Sequence, residues 1–181
     1  MNRCFLLKPF RILPFNVHVK INAQVTVDKN ELKIEYAMSG DLPKLIIPPL
    51  SNTPVRIYDL WDHTCFEAFL KRKDSPSYIE FNFAPSGDWN CFFISSYRVN
   101  DGEYTPIKKT TINVSHSADR LVLKSAIALN LLPNFSLEDF ESKKIEIGLS
   151  SVVEDKNNQL GYYALVHKRQ NPDFHDGFVA F

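Results

Sequence analysis

The chain has 181 residues, 21 basic and 21 acidic side chains, a formal net charge of zero and 44% hydrophobic composition. Its length is enough for a substantial core in one domain, and its apolar content excludes global disorder. The balanced charge excludes the strongly basic surface of a dedicated nucleic-acid binder.

The first nine residues hold only four consecutive apolar side chains, Cys4 to Leu7, before Lys8 and Pro9. A secretory leader needs roughly 7–15 apolar residues and a membrane span roughly 18, so neither is expected. Cys4, Cys65 and Cys91 are odd in number, widely spaced and without a CxxC pair. They read as reduced, buried thiols of a cytoplasmic protein.

Period-two patterning then dominates. Residues 17–27 (VHVKINAQVTV) and 32–36 (LKIEY) alternate apolar and polar side chains around the polar turn Asp28-Lys29-Asn30-Glu31, which predicts an antiparallel hairpin. Residues 42–55 contain Pro43, Pro48, Pro49 and Pro54, which exclude a helix and suit a long crossing loop. Strands follow at 64–70, 78–83, 89–98, 121–129, 144–149 and 162–166, with charged or Gly/Pro-containing turns between the earlier ones. One short helix is expected after Ser136, an N-cap residue followed by Glu138 and Asp139 in the first turn. The pattern predicts an all-β, antiparallel sandwich of jelly-roll type, a single domain over residues 1–181 with at most one or two short helices.

The segment richest in chemistry is Trp61-Asp62-His63-Thr64-Cys65-Phe66-Glu67-Ala68-Phe69-Leu70. On a strand, Phe66, Ala68 and Leu70 share one face while His63, Cys65 and Glu67 share the other. The next strand divides alike, Ile79, Phe81 and Phe83 against Tyr78, Glu80 and Asn82. Antiparallel pairing would give a polar face with two carboxyls, an amide, a phenol and an imidazole, suited to a ligand rich in hydroxyls. Asp62, Glu67 and Glu80 could also form an acid/base carboxyl pair, a weak signal in a chain with 21 acidic residues.

These residues also carry a family resemblance. "LWDHTCFEAFL", "YIEFNFAPSGDW" and the tail "GYYALVHKRQNPDFHDGF" resemble the DOMON-like domains related to family 9 carbohydrate-binding modules, over roughly residues 58–178. The resemblance implies a β-sandwich of jelly-roll or DOMON type with a site for a sugar or for haem. In the sugar binders a tryptophan stacks on the ring and a strand glutamate bonds its hydroxyls, and Trp61 and Glu67 match those positions. A second tryptophan completes the sandwich in that family. The C-terminal half of this chain has none, and Tyr162, Tyr163 and Phe174 are the nearby substitutes. The haem branch needs a methionine and a histidine as axial ligands. Met1 and Met38 are poorly placed for that, so no cofactor is expected.

The resulting expectation is non-catalytic binding of a carbohydrate or similar polyhydroxylated small ligand. Trp61 would stack, Glu67 and Asn82 would bond hydroxyls, Arg98 would orient Glu67 or a ligand oxygen, and His175 would close the site. Trp89, just after a turn, is a further aromatic candidate. The alternative is a metal-assisted or carboxylate-based hydrolase using His63, Glu67, Asp173 and His175, although zinc-type spacings are absent. A third reading is a scaffold that contacts a protein partner through its exposed sheet.

Overall fold

The computed structural model describes residues 1–10, 15, 17–132 and 134–181. With 51% strand and 8% helix it is an all-β, antiparallel fold, as the alternation predicts. The first hairpin pairs β2 (Val19–Val27) with β3 (Glu31–Gly40), Val27 facing Leu32 across the turn. Asp28 builds that turn, its Oδ1 accepting the N–H groups of Asn30 and Glu31 at 3.0 Å. The proline-bearing stretch after β3 holds only a three-residue 3-10 turn, Leu42–Lys44.

The remaining strands are β1 (Asn2–Pro9), β4 (Cys65–Arg72), β5 (Tyr78–Phe83), β6 (Trp89–Ser96), β7 (Val99–Glu103), β8 (Thr111–His116), β9 (Arg120–Ala128), β10 (Ile145–Glu154), β11 (Leu160–Ala164) and β12 (Val179–Ala180). They pair in the order β7-β6-β5-β4-β10-β11-β1-β2-β3-β9-β8, with β12 added on β10. The strand β1 joins the two layers. Asn2 to Leu7 pair with β2, whereas Lys8 and Pro9 pair with β11.

Alternation did not reveal β1, β7, β8 or β12. β7 and β8 are the two ends of the pairing path and hold no buried residue, so there is little core packing to imprint a period. In β1 only Leu7 is buried, so its apolar run carries no period.

The core lies between the layers. One side contributes Ile21, Val25, Leu32, Ile34, Tyr36, Leu121 and Leu123, the other Phe66, Leu70, Ile79, Phe81, Phe83, Ile147 and Leu149. The inward assignment of Phe66, Ala68, Leu70, Ile79, Phe81 and Phe83 therefore holds. The thiols divide differently from the expectation, Cys65 and Cys91 being buried and Cys4 exposed; all three are free.

The helix α1 (Leu137–Glu141) starts where expected, with a capping box between Ser136 and Asp139. Asp139 also takes Arg72 Nη1 at 2.8 Å, which ties α1 to the end of β4. Ser136→Ala is expected to cost about 1 kcal/mol of stability, read from the shift in a denaturant midpoint.

The opposite face of the β4–β5–β6 layer departs from a solvated sheet. Every residue of β5 is buried, and so are the first six of β4. Phe69, Tyr78, Phe92 and Ile94 form a second apolar cluster there, covered by Trp61, Phe174 and Phe178. The cover comes from a 3-10 turn, Leu60–Asp62, and from the C-terminal segment after β11. Both faces of β5 and of most of β4 are buried, and the candidate site lies under this cover.

Candidate functional site

Trp61, Asp62, Glu67, Glu80, Ile94, Arg98, Asn100, Val152, Leu160, Tyr162, Pro172, Phe174 and His175 line a cavity of about 370 Å³ on the covered face. That volume lies in the usual range for small-ligand sites, roughly 300–1,000 Å³. The strands β4, β5, β10 and β11 supply the floor, which carries Glu67, Glu80, Val152 and Tyr162. Glu67 faces Asn82 in register and Ser150 on the other side, so Glu80 sits on the diagonal from Glu67. Below the floor, Tyr36 reaches through the core and donates its hydroxyl to the Glu67 carbonyl at 2.6 Å.

The walls are aromatic. Trp61 packs edge-on to Phe92, ring centroids 5.7 Å apart, and Tyr162 pairs with Phe174 at 6.0 Å. Tyr162 and Phe174 are thus the substitutes that reach the cavity, while Tyr163 points into the main core.

Arg98 occupies the β6–β7 turn at φ 60°, a left-handed conformation unfavourable for a side-chain-bearing residue. Two contacts hold it there. Its N–H donates to Tyr78 Oη at 3.3 Å, and its Nη2 meets Asp173 Oδ1 at 3.2 Å. Tyr97 donates its hydroxyl to the other Asp173 oxygen. Arg98 therefore pairs with Asp173 rather than with Glu67, which corrects the first of the two roles expected for it, while it still lines the cavity. Tyr78 Oη lies 2.7 Å from His175 Nδ1. Because Tyr78 already accepts from Arg98, its own proton is free to go to Nδ1, which leaves the proton of a neutral His175 on Nε2. That nitrogen lies 4.0 Å from Glu80 Oε2.

The electrostatics follow from burial. Glu67 and Glu80 are only 3% and 7% exposed. Desolvation first, then the charge of Glu80, push the Glu67 carboxyl up to about 8, against the opposing hydrogen bond from Ser150 at 2.9 Å. Glu80 is raised by desolvation too, opposed by the Asn82 hydrogen bond and the Arg98 charge. Burial and the nearby Arg98 lower His175 to about 4, with Asp173 opposing. Burial raises the Asp173 carboxyl, but Tyr97 and Arg98 outweigh it and hold the group below its ordinary range. At neutral pH, then, Glu67 keeps its proton and His175 is an uncharged ring. Glu67 can donate as well as accept.

Of the expected site residues, Trp61, Glu67, Arg98 and His175 line one cavity. Asn82 lies behind it, donating to Glu80 Oε1 at 2.9 Å and accepting a weak bond from the Cys65 thiol. Trp89 is elsewhere. It is buried in the main core with the Arg56 guanidinium 4.4 Å over its ring, because the start of β6 turns that side chain inward.

His63 also departs from the expectation. It follows the 3-10 turn instead of continuing β4, is 68% exposed and pairs with Glu154 at 2.8 Å. It lines a separate groove, so the set His63, Glu67, Asp173 and His175 does not converge. Among the described residues no group of three or more His, Cys, Asp or Glu is placed to hold a metal ion. Sequence reasoning did not find Tyr78 as the group that orders Arg98 and His175, nor Ser150 as the partner of Glu67. The alternation of β10 was the available signal for Ser150; the strand pattern put Tyr78 on the polar face, but nothing local marked Arg98 and His175 as its partners.

No protein-family model and no curated protein matches this sequence. Solved structures do. A Bacteroides uniformis protein provisionally assigned as carbohydrate-binding superposes with a TM-score of 0.65 at 12% identity, over 97% of this chain and 85% of that one. A family 9 carbohydrate-binding module from Caldicellulosiruptor kristjanssonii matches in two structures, one with cellotriose and one with glucose. Each has a TM-score of 0.55 and 12% identity over 91% of this chain, covering 74% and 76% of the module respectively. At that identity the likeness is one of fold: this chain has the sandwich architecture of family 9 carbohydrate-binding modules.

Proposed function

We propose that the cavity binds a carbohydrate or similar polyhydroxylated small ligand without catalysis, in a single DOMON-like domain spanning residues 1–181. One observation carries this reading: the cavity sets Trp61 and the Tyr162–Phe174 pair beside Glu67, Glu80, Arg98 and His175. Aromatic faces complement the C–H faces of a sugar ring. A protonated Glu67 and the Nε2–H of His175 donate, while Glu80 and the second Glu67 oxygen accept, which suits hydroxyls that do both. The solved neighbours, a protein provisionally assigned to carbohydrate binding and a module with bound glucose or cellotriose, support the choice of ligand class.

A thermal-shift screen of mono- and oligosaccharides, beginning with glucose and cellotriose, followed by calorimetric titration, tests the reading. Trp61 is half-buried and packs on the cover rather than inside the main core. Trp61→Ala should therefore fold and bind many pyranoses about 5- to 150-fold more weakly, the range of a contact worth 1–3 kcal/mol. Unchanged affinity in a folded Trp61→Ala, or no binding by any saccharide in the screen, would overturn it.

A further inference from the structure

The cavity holds more acid than a neutral sugar needs. Asp62, Glu67 and Glu80 line it, and the one guanidinium among the described lining residues, that of Arg98, is already engaged by Asp173 at 3.2 Å. Glu67 and Glu80 are nearly inaccessible, yet their hydrogen-bond partners are the neutral side chains Ser150 and Asn82. Glu67 Oε1 takes no hydrogen bond from any described residue, and it belongs to a side chain that opens on the cavity. Buried carboxyl groups without a cation are costly, and they are normally kept only where something pairs with them. The surrounding Trp61, Tyr162 and Phe174 rings add faces that attract a cation.

We propose that the ligand carries an ammonium group on its polyhydroxylated ring, an amino sugar, with the nitrogen seated among Glu67, Glu80 and Asp62. This rests on the sugar-binding reading and narrows it. The ammonium supplies the missing positive partner, and its N–H groups reach the unbonded Glu67 oxygen. Binding also carries a proton signature. A cation between the two buried acids favours their ionised forms, so seating it draws the proton off Glu67. The other titratable groups around the pair are Asp62 on the wall, Tyr162 on β11, Arg98 on the turn, His175 on the C-terminal segment, and the buried Tyr36, Cys65 and Cys91. Tyr78 and Asp173 stand behind them.

The test is calorimetric titration of the intact chain at pH 6 with D-glucosamine, D-glucose, N-acetyl-D-glucosamine and putrescine. Glucosamine is expected to bind about 10-fold or more tightly than glucose, the effect of one charge-assisted hydrogen bond. N-acetylglucosamine, which has lost the charge, should fall back to the level of glucose. Glucosamine binding should release a proton, seen as an enthalpy that changes between buffers of different ionisation enthalpy. Glu80→Gln, first confirmed as folded by its thermal melt, should narrow the gap between glucosamine and glucose. Equal affinity for all three sugars would overturn the ammonium while leaving sugar binding intact. Putrescine binding as tightly as glucosamine would overturn the amino sugar in favour of a bare amine. No binding by any of the three sugars would remove the sugar-binding reading and this inference with it.

Discussion

Phe81→Ala is expected to lower the free energy of unfolding by about 3–5 kcal/mol, the usual cost of truncating a buried phenylalanine. Phe81 lies at the centre of β5, fully buried between β4 and β6. Its cross-strand neighbours are the small residues Ala68 and Cys91, so its ring fills the space that they leave. It also stacks on Phe83, centroids 6.0 Å apart and planes within 10°. With neighbours this small and fixed in the sheet, little can collapse into the void, which places the cost in the upper part of the range. A denaturant melt measures it. A loss below about 1 kcal/mol would mean that Phe81 does not fill a close-packed core.

The pH dependence of stability gives the second large effect. Unfolded, Glu67 loses its proton near 4.5; folded, it holds the proton up to about 8. Between those values the folded chain binds more protons, so raising the pH favours unfolding. The Glu67 contribution is complete below pH 4.5 and is lost as pH rises through 8. His175 runs the other way. Its folded value of about 4 lies below the unfolded 6.5, so its contribution is present above pH 6.5 and is lost as pH falls through 4. The two slopes oppose each other between pH 4.5 and 6.5, and Glu80, also raised by burial, adds to the Glu67 side.

Glu67→Gln removes one slope and leaves the other. Its amide can still accept from Ser150 and cannot titrate. The stability of this variant relative to the unsubstituted chain should rise by about 2 kcal/mol from pH 6 to pH 8, and by about 4 kcal/mol over pH 4.5 to 8. Denaturant melts of both chains at four pH values give the difference curve. Parallel curves would show that Glu67 ionises normally and that the cavity floor is wetter than its burial indicates.

How much of this was legible depends on which forces are local. Alternation identified β2 through β5 and β9 through β11, because period-two patterning is the direct imprint of one face packed on a core, and aromatic and β-branched character marked β6. The inward phenylalanines were legible for the same reason. Ser136 and Asp28 marked their cap and turn because each bonds backbone only two or three residues away.

The site was partly legible. Trp61 and Glu67 stood out through their resemblance to the sugar-binding modules, and the strand pattern placed Glu67 opposite Phe66. That the face bearing Glu67 is dry could not be read there. Its burial comes from residues about a hundred positions downstream, Phe174, His175 and Phe178, which fold back over β4 and β5. That cover decides the chemistry, since desolvation is what keeps Glu67 protonated and His175 neutral. The same long-range docking tied Arg98 to Asp173, whereas the start of β6 put Trp89 in the core and the 3-10 turn put His63 in a neighbouring groove. The sequence by itself determined β2 through β6 and β9 through β11, the inner faces of β4 and β5, and the chemical types near the site. Only the tertiary structure decided which side chains share one cavity and how they are charged, because burial and pairing arise from segments far apart in the chain.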